Sequence, residues 1–109
     1  MKPRHFNYNY HDAHLAHFTL GPRREVSLEI ALDPVWNNGR ETARLRLGAI
    51  RNFDAVVAFM QSLPPAPALH SYRGEIVRLE LEVEKPHAVF LELDRAGHIE
   101  IDAANVSEA

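Results

Sequence analysis

The chain has 109 residues, 46% of them hydrophobic and 25% charged, which is the composition of a single globular domain with one core. Its formal net charge of −3 argues against a basic nucleic-acid-binding surface, and its lack of cysteine excludes disulfides, thiolate metal sites and a cysteine nucleophile. No apolar run approaches the roughly 20 residues of a membrane span, and residues 1–12 lack a signal-peptide core, so we expect a cytoplasmic protein.

The first residues predict no single regular element. Residues 1–12 are polar, with aromatic side chains at every second position: Phe6, Tyr8 and Tyr10. This spacing fits either an extended arm with its rings on one face or a partly ordered tail. A first strand is predicted next, over residues 14–20, with alternate side chains on one side: Ala16, Phe18 and Leu20.

Two further strands flank a polar connection. After the turn at residues 21–24, aliphatic residues alternate with mostly polar ones, which is typical of a half-buried strand: Val26, Leu28, Ile30 and Leu32. Residues 33–40 form the connection, in which Asn38-Gly39 suits the positive φ of a tight turn. The third strand is predicted from Glu41 to Ala49, with these residues inward: Ala43, Leu45 and Leu47.

The periodicity then changes from two to that of a helix. Apolar residues fall at i, i+3, i+4, i+7 and i+10: Phe53, Val56, Val57, Met60 and Leu63. Asn52 is a favourable N-cap, and Asp54 suits the positive end of the helix dipole. The prolines in residues 64–67 would end the helix, which we therefore predict over about residues 52–63.

Residues 75–102 predict three more antiparallel strands. Aliphatic and charged residues alternate in the first, with one side apolar: Val77, Leu79, Leu81 and Val83. Lys85-Pro86 interrupts the pattern, which resumes at residues 88–93 and, after a turn with Gly97, at Ile99 and Ile101. The chain beyond Asp102 is rich in Ala, Asn and Ser and predicts a flexible end.

Together these elements predict a single α+β domain over residues 1–109. Its mainly antiparallel sheet has about six strands, and the helix of about residues 52–63 packs on one face of the sheet. One strand is unusual, because Ala88 and Phe90 lie opposite Val89 and Leu91 and make it apolar on both faces. Both faces of such a strand must be buried, either by the fold or by a second subunit, and we expect the contact of a homodimer.

The densest group of chemically active side chains lies near the N-terminus: Tyr8, Tyr10, His11, Asp12, His14 and His17. His11, Asp12 and His14 are three possible metal ligands, but an extended chain places His14 on the face opposite His11, so a shared metal needs a turn there. His11 and Asp12 are also a possible acid–base pair. The simpler interpretation is that the histidines lie on the surface and Asp12 caps a turn.

Trp36 is the only tryptophan and lies in the connection between two strands. Exposed loop aromatics are common anchors of protein interfaces, but Trp36 could equally fold over the end of the core. We therefore include it among the candidate binding residues: Tyr8, Tyr10, His11, Asp12, His14 and Trp36. The sequence contains neither a glycine-rich phosphate loop nor a Gly-x-Ser-x-Gly nucleophile motif, and we expect no cofactor.

The segment Tyr10-His11-Asp12-Ala13-His14-Leu15, followed by a hairpin and a third strand that ends in Gly48-Ala49-Ile50, resembles known domains. It is similar to small bacterial α+β domains that open with a His-Asp-Ala segment, among them a branch of the immunity proteins of polymorphic toxin systems. The resemblance implies a bacterial, non-catalytic protein that acts by binding another protein, and it assigns no catalytic residues.

The sequence thus favours a small cytoplasmic protein-binding module of the immunity type, with a protein partner or self-association and no nucleic-acid or membrane partner. Two alternatives remain open at this stage. One is a metal-binding or hydrolytic domain built on His11, Asp12 and His14, and the other is a purely structural subunit of a homo-oligomer.

Overall fold

The computed structural model describes residues 6–63, 74–81, 88–94 and 96–109. These residues form six strands and one α-helix: β1 (His14–Gly21), β2 (Glu25–Ala31), β3 (Thr42–Ile50), α1 (Phe53–Gln61), β4 (Gly74–Leu81), β5 (Ala88–Leu93) and β6 (Gly97–Glu108). The predicted α+β fold, with an antiparallel sheet of six strands and a single helix, is confirmed. The prolines at 64–67, Val83 and Lys85-Pro86 lie outside the described residues. No helix in the described part of the chain is long and apolar enough to cross a membrane.

The sheet closes on itself as a barrel in the order β1–β2–β3–β6–β5–β4, and every neighbouring pair is antiparallel. Strand β6 joins the two halves, because residues 97–102 pair with β5 and residues 103–108 pair with β3. The apolar face of the sheet is therefore the inside of the barrel, where opposite strands cover one another. Helix α1 packs on β6 and adds Val56 and Met60, both fully buried, to the same core.

Strands β2 and β3 follow the predicted alternation closely. Their inward residues are almost entirely inaccessible to solvent: Val26, Leu28, Ile30, Ala43, Leu45 and Leu47. The turns before β3 and β6 also match, because Gly39 and Gly97 both adopt the left-handed φ values that glycine tolerates best, +86° and +87°. Here the period of two and the turn chemistry were sufficient to predict the structure.

Two β-bulges change the side-chain faces of β1 and β4. On β1, Leu15 pairs with Ile30 and His17 with Glu29, so Ala16 is an extra residue and Leu15 is the buried one. On β4, Ile76 is 4% exposed while the bulged Val77 is 53% exposed. The prediction that Val77 lies on the apolar face is therefore wrong, as is the placement of Ala16 as the first inward residue of β1.

The predicted flexible end after Asp102 is also wrong, because β6 continues to Glu108. Ala103 is fully buried, and Ala109 exchanges two backbone hydrogen bonds of 2.8 Å with Arg44 of β3. Alanine, asparagine and serine favour strands weakly, so the local sequence did not indicate one. Pairing with the exposed backbone of β3 overrides that weak preference.

The aromatic ring on the outer face of β5 is covered within the chain. The guanidinium carbon of Arg78 lies 4.8 Å from the ring centroid of Phe90, and the ring of His98 stacks on Phe90 at 5.3 Å and 23°. Phe90 is half-buried as a result. Arg78 and His98 of the same chain therefore cover Phe90, the side chain from which a dimer contact was predicted.

Asn52 joins helix α1 to the barrel. It lies at the N-cap position, but its side chain makes no capping hydrogen bond. Its amide nitrogen instead donates to Glu100 O at 2.7 Å, and its amide oxygen accepts from Asp102 N at 2.9 Å. The side chain thus pairs with the backbone of β6 where β3 ends. Asn52 occupies the predicted N-cap position, but its side chain does not cap the helix.

We predict that Asn52→Ala lowers the free energy of unfolding by about 1–3 kcal/mol, because two partly buried backbone groups of β6 lose their partner. Asn52→Asp should be similarly destabilising, because a carboxylate oxygen would then face the Glu100 carbonyl. Asp and Asn are equally good N-caps, so this variant separates the pairing with β6 from helix capping. Urea unfolding measures both, with exposed Gln61→Ala as the control. Unchanged stability in Asn52→Asp would show that capping is the role of Asn52.

The bulge on β4 gives a second test of the fold. We predict that Ile76→Ala lowers the free energy of unfolding by about 2–5 kcal/mol, whereas Val77→Ala changes it by less than about 1 kcal/mol. Denaturant titration of the two variants under identical conditions measures the difference. The opposite ranking would mean that β4 has the uninterrupted alternation indicated by its sequence.

Candidate functional site

Residues 6–13, here called the N-terminal arm, are held by one carboxylate near the other end of the chain. Glu108 Oε1 accepts a hydrogen bond from Asn7 N at 2.6 Å. Glu108 Oε2 accepts from Tyr8 N at 3.3 Å and from the Tyr10 hydroxyl at 2.6 Å. Hydrogen bonds to a charged acceptor are stronger than neutral ones, so this carboxylate fixes the path of the arm.

Tyr10 anchors the arm in the core. Its side chain is 8% exposed, and the ring of Phe6 meets it edge-on at 5.5 Å. Burial raises the pKa of the Tyr10 phenol far above its ordinary value, and the hydrogen bond to Glu108 and the negative charge of that carboxylate raise it further. A phenolate would be both desolvated and repelled there, so Tyr10 is a structural group and not a proton donor at neutral pH.

Residues 32–41, here called the Trp36 loop, connect β2 to β3 and pack against the arm. Asp33 caps a short 3-10 turn, Pro34–Trp36, by accepting a hydrogen bond from Val35 N at 2.9 Å. Asn37 and Asn9 exchange two hydrogen bonds: Asn9 N donates to Asn37 Oδ1, and Asn37 Nδ2 donates to Asn9 O, each at 2.8 Å. The loop is therefore fastened both within itself and to the arm.

Aromatic contacts complete the junction between arm and loop. The rings of His11 and Trp36 meet edge-on at 5.1 Å, and the guanidinium of Arg40 lies 4.5 Å above the ring of Tyr8. Val35 and Trp36 nevertheless remain 81% and 50% exposed. Arm and loop thus form one surface, here called the arm–loop surface, with apolar side chains at its exposed edge.

The structure brings together only some of the candidate residues predicted from the sequence. Tyr8, His11 and Trp36 lie on the arm–loop surface, Tyr10 turns into the core, and His14 belongs to β1, where it pairs with Ala31 and Glu75. His11 and Asp12 lie in a turn, with His11 Nε2 3.5 Å from Asp12 Oδ2 and both side chains exposed. Within the described ranges, no three His, Asp or Glu side chains converge in a way that could hold a metal ion.

Sequence reasoning missed the residues that build this surface. Glu108 lay in a segment predicted to be flexible, and Asn9, Asn37 and Arg40 are ordinary loop residues whose partners are distant in the chain. Glu108 and Asn7 are 101 positions apart, so no local pattern could relate them. The Asn37-Asn38-Gly39 turn was the one available indication, because it fixes where the chain reverses.

No protein-family model, curated protein or solved structure matches this chain. The resemblance to immunity proteins therefore stays an expectation from residues 10–15 and the strands that follow them. Any inference about function has to come from the geometry of the arm–loop surface and its neighbours.

We predict that Tyr10→Phe lowers the free energy of unfolding by about 1.5–3 kcal/mol at pH 7, because a hydrogen bond to a charged acceptor is lost. Because the pKa of Tyr10 is raised in the folded chain, the unfolded chain loses the phenolic proton of Tyr10 at a lower pH, as the pH rises through about 10. The stability contributed by Tyr10 is complete below that pH and decreases above it. The free energies of unfolding of wild type and Tyr10→Phe should therefore approach each other by up to about 1.4 kcal/mol per pH unit.

Urea unfolding between pH 7 and pH 11 measures this convergence. Tyr8→Phe is the matched control, because it removes a tyrosine hydroxyl from the same arm and leaves the Tyr10–Glu108 hydrogen bond in place. A stability difference between wild type and Tyr10→Phe that stays constant up to pH 11 would contradict the burial of a protonated phenol.

Proposed function

We propose that the protein is a non-catalytic protein-binding module that contacts its partner through the arm–loop surface. The observation that carries this proposal is the exposure of Val35 and Trp36, 81% and 50%, at the edge of an otherwise well-anchored loop. Large apolar side chains at such positions lose little freedom on binding and gain from desolvation, and Trp is enriched among interface hot spots.

The rigidity of the surface supports a binding role. Asn37 holds the loop to the arm through two hydrogen bonds, and Glu108 holds the arm to β6 through three. A loop that is ordered before the partner arrives loses less conformational entropy when the complex forms. The anchoring contacts therefore favour affinity without taking part in the interface themselves.

The alternatives have less support from the contacts. A hydrolytic or metal-binding site would rest on His11 and Asp12 alone, an exposed pair whose side chains are 63% and 53% accessible. A homodimer was inferred from Phe90, whose ring is already covered by Arg78 and His98.

We place this module in the bacterial cytoplasm and among immunity-type proteins as part of the same proposal. The absence of cysteine from the sequence fits a reducing compartment. The His11-Asp12-Ala13 segment supplies the resemblance. The partner expected on this basis is another protein encoded with the module, and it would bind the arm–loop surface.

We predict that Trp36→Ala weakens partner binding by about 2 kcal/mol or more, which is about 30-fold in the dissociation constant. Proteins retained on the immobilised wild type from a lysate of the source cells should be lost with this variant. Trp36 is the only tryptophan of the chain, so after subtraction of the emission of the partner alone, its fluorescence should shift to shorter wavelength when the isolated partner is added.

Val57→Ala is the matched control. Val57 is a partly exposed aliphatic residue on α1, which follows the end of β3 opposite the Trp36 loop. A partner bound equally by wild type and Trp36→Ala would refute the arm–loop surface as the contact. A partner lost equally with Val57→Ala would point to the helix instead.

A further inference from the structure

The Trp36 loop contains a pair of residues that is chemically labile. Asn38-Gly39 is the one Asn-Gly pair of the sequence, since every other asparagine precedes Tyr, Asn, Phe or Val. A glycine has no Cβ, so no side chain shields its backbone nitrogen from the amide group of the preceding asparagine. That nitrogen can attack the amide carbon and close a ring, which is the first step of deamidation.

The fold leaves the side chain of Asn38 accessible. Asn38 is exposed and adopts a left-handed φ of +54°. No hydrogen bond between described residues holds its amide group, whereas the amide groups of Asn37 and Asn52 are bound to backbone atoms of other segments. Gly39 borders open space, because a Cβ built there would meet no atom within 4 Å. The folded loop therefore has room for ring closure and for departure of the amide nitrogen.

One hydrogen bond restrains the attacking nitrogen. Gly39 N donates to Pro34 O at 2.9 Å, and the same carbonyl accepts from Asn37 N at 3.2 Å. Asp33 stabilises the turn that carries this carbonyl, because its carboxylate accepts from Val35 N at 2.9 Å. Amide resonance makes a peptide nitrogen a poor nucleophile until it loses its proton. The N–H of Gly39 must therefore leave Pro34 O before the ring can close.

We propose that Asn38 is a site of spontaneous deamidation in the folded protein, gated by release of the Gly39 N–H from Pro34 O. The amide proton of Gly39 passes to water or hydroxide, and its nitrogen forms a bond to Asn38 Cγ. The Cγ–Nδ2 bond then breaks, and the nitrogen takes up a proton and leaves as ammonia. Water opens the resulting succinimide at either carbonyl, which gives aspartate or isoaspartate without any oxidation or reduction.

The product changes the arm–loop surface. A neutral amide becomes a carboxylate two positions before Arg40, and isoaspartate also lengthens the main chain of the loop by one carbon atom. The reaction needs only water, so it is independent of the proposed protein partner. The inference therefore stands whether or not the protein is a binding module.

Peptide mapping by mass spectrometry tests the site in the full chain incubated at pH 8. We expect Asn38 to deamidate at least about tenfold faster than any other asparagine of the folded protein, which corresponds to a barrier lower by about 1.4 kcal/mol. The product should contain both aspartate and isoaspartate, which have the same mass and separate by chromatography. Direct hydrolysis of the side chain would give aspartate alone.

Asp33→Ala tests the gate, since it removes the cap of the turn that holds Gly39 N. We expect deamidation of Asn38 to become about two- to tenfold faster, as suits the loss of one ordinary hydrogen bond. Asp54→Ala is the matched control, because it removes an exposed carboxylate from α1, at the other end of β3, and should leave the rate unchanged. Wild type unfolded in guanidinium chloride should also react at least about twofold faster than the folded protein.

Three results would overturn the proposal. A rate at Asn38 less than about tenfold above that of another asparagine would remove the site, and aspartate as the sole product would exclude attack by Gly39 N. An unchanged rate in Asp33→Ala, or equal acceleration in Asp54→Ala, would remove the gate. Circular dichroism checks that both variants are folded, and the unfolded wild type tests the gate without any substitution, since a rate equal to that of the folded protein also contradicts it.

Discussion

The contact between β1 and β4, which closes the barrel, is the constraint on which the rest of the structure depends. Among the residues that the structure describes, the two strands pair at His14–Glu75 and Leu15–Gly74. The N-terminal arm extends that closure, since Ile76 N donates to Ala13 O at 2.8 Å and Ala13 is fully buried. The arm is therefore part of the barrel wall, and it holds the Trp36 loop that packs against it in a fixed position.

Sequence periodicity predicted the elements whose side chains follow one repeat from end to end. Strands β2 and β3 and the face of α1 that contains Val56 and Met60 are of this kind. It failed at Ala16 and Val77, because a single inserted residue moves every later side chain to the other face and leaves no compositional trace. It also failed beyond Asp102, where pairing with β3 outweighs a weak local preference. Barrel closure depends on pairing between β1 and β4, whose partners His14 and Glu75 are 61 positions apart, and no local pattern can indicate it.

The sequence indicated the exposed residues of the candidate site but not the residues that hold them in place. Trp36, His11 and Tyr8 were recognisable because aromatic and imidazole side chains in a loop or arm are unusual whatever they contact. Their arrangement depends on Asn37, Arg40 and Glu108, which are polar residues of common types. Glu108 and Asn37 act through hydrogen bonds of 2.6 and 2.8 Å to backbone nitrogens, and Arg40 acts through its contact with the ring of Tyr8. These contacts arise only when the chain has folded.

The position of Glu108 has a consequence during synthesis of the chain. Asn7 precedes Glu108 by 101 positions, so the arm is synthesised well before the carboxylate that holds it, and β6 must also insert between β3 and β5. Contacts between residues so far apart in sequence form late and slowly. The arm–loop surface therefore cannot form on a nascent chain before residues 97–108 have been synthesised.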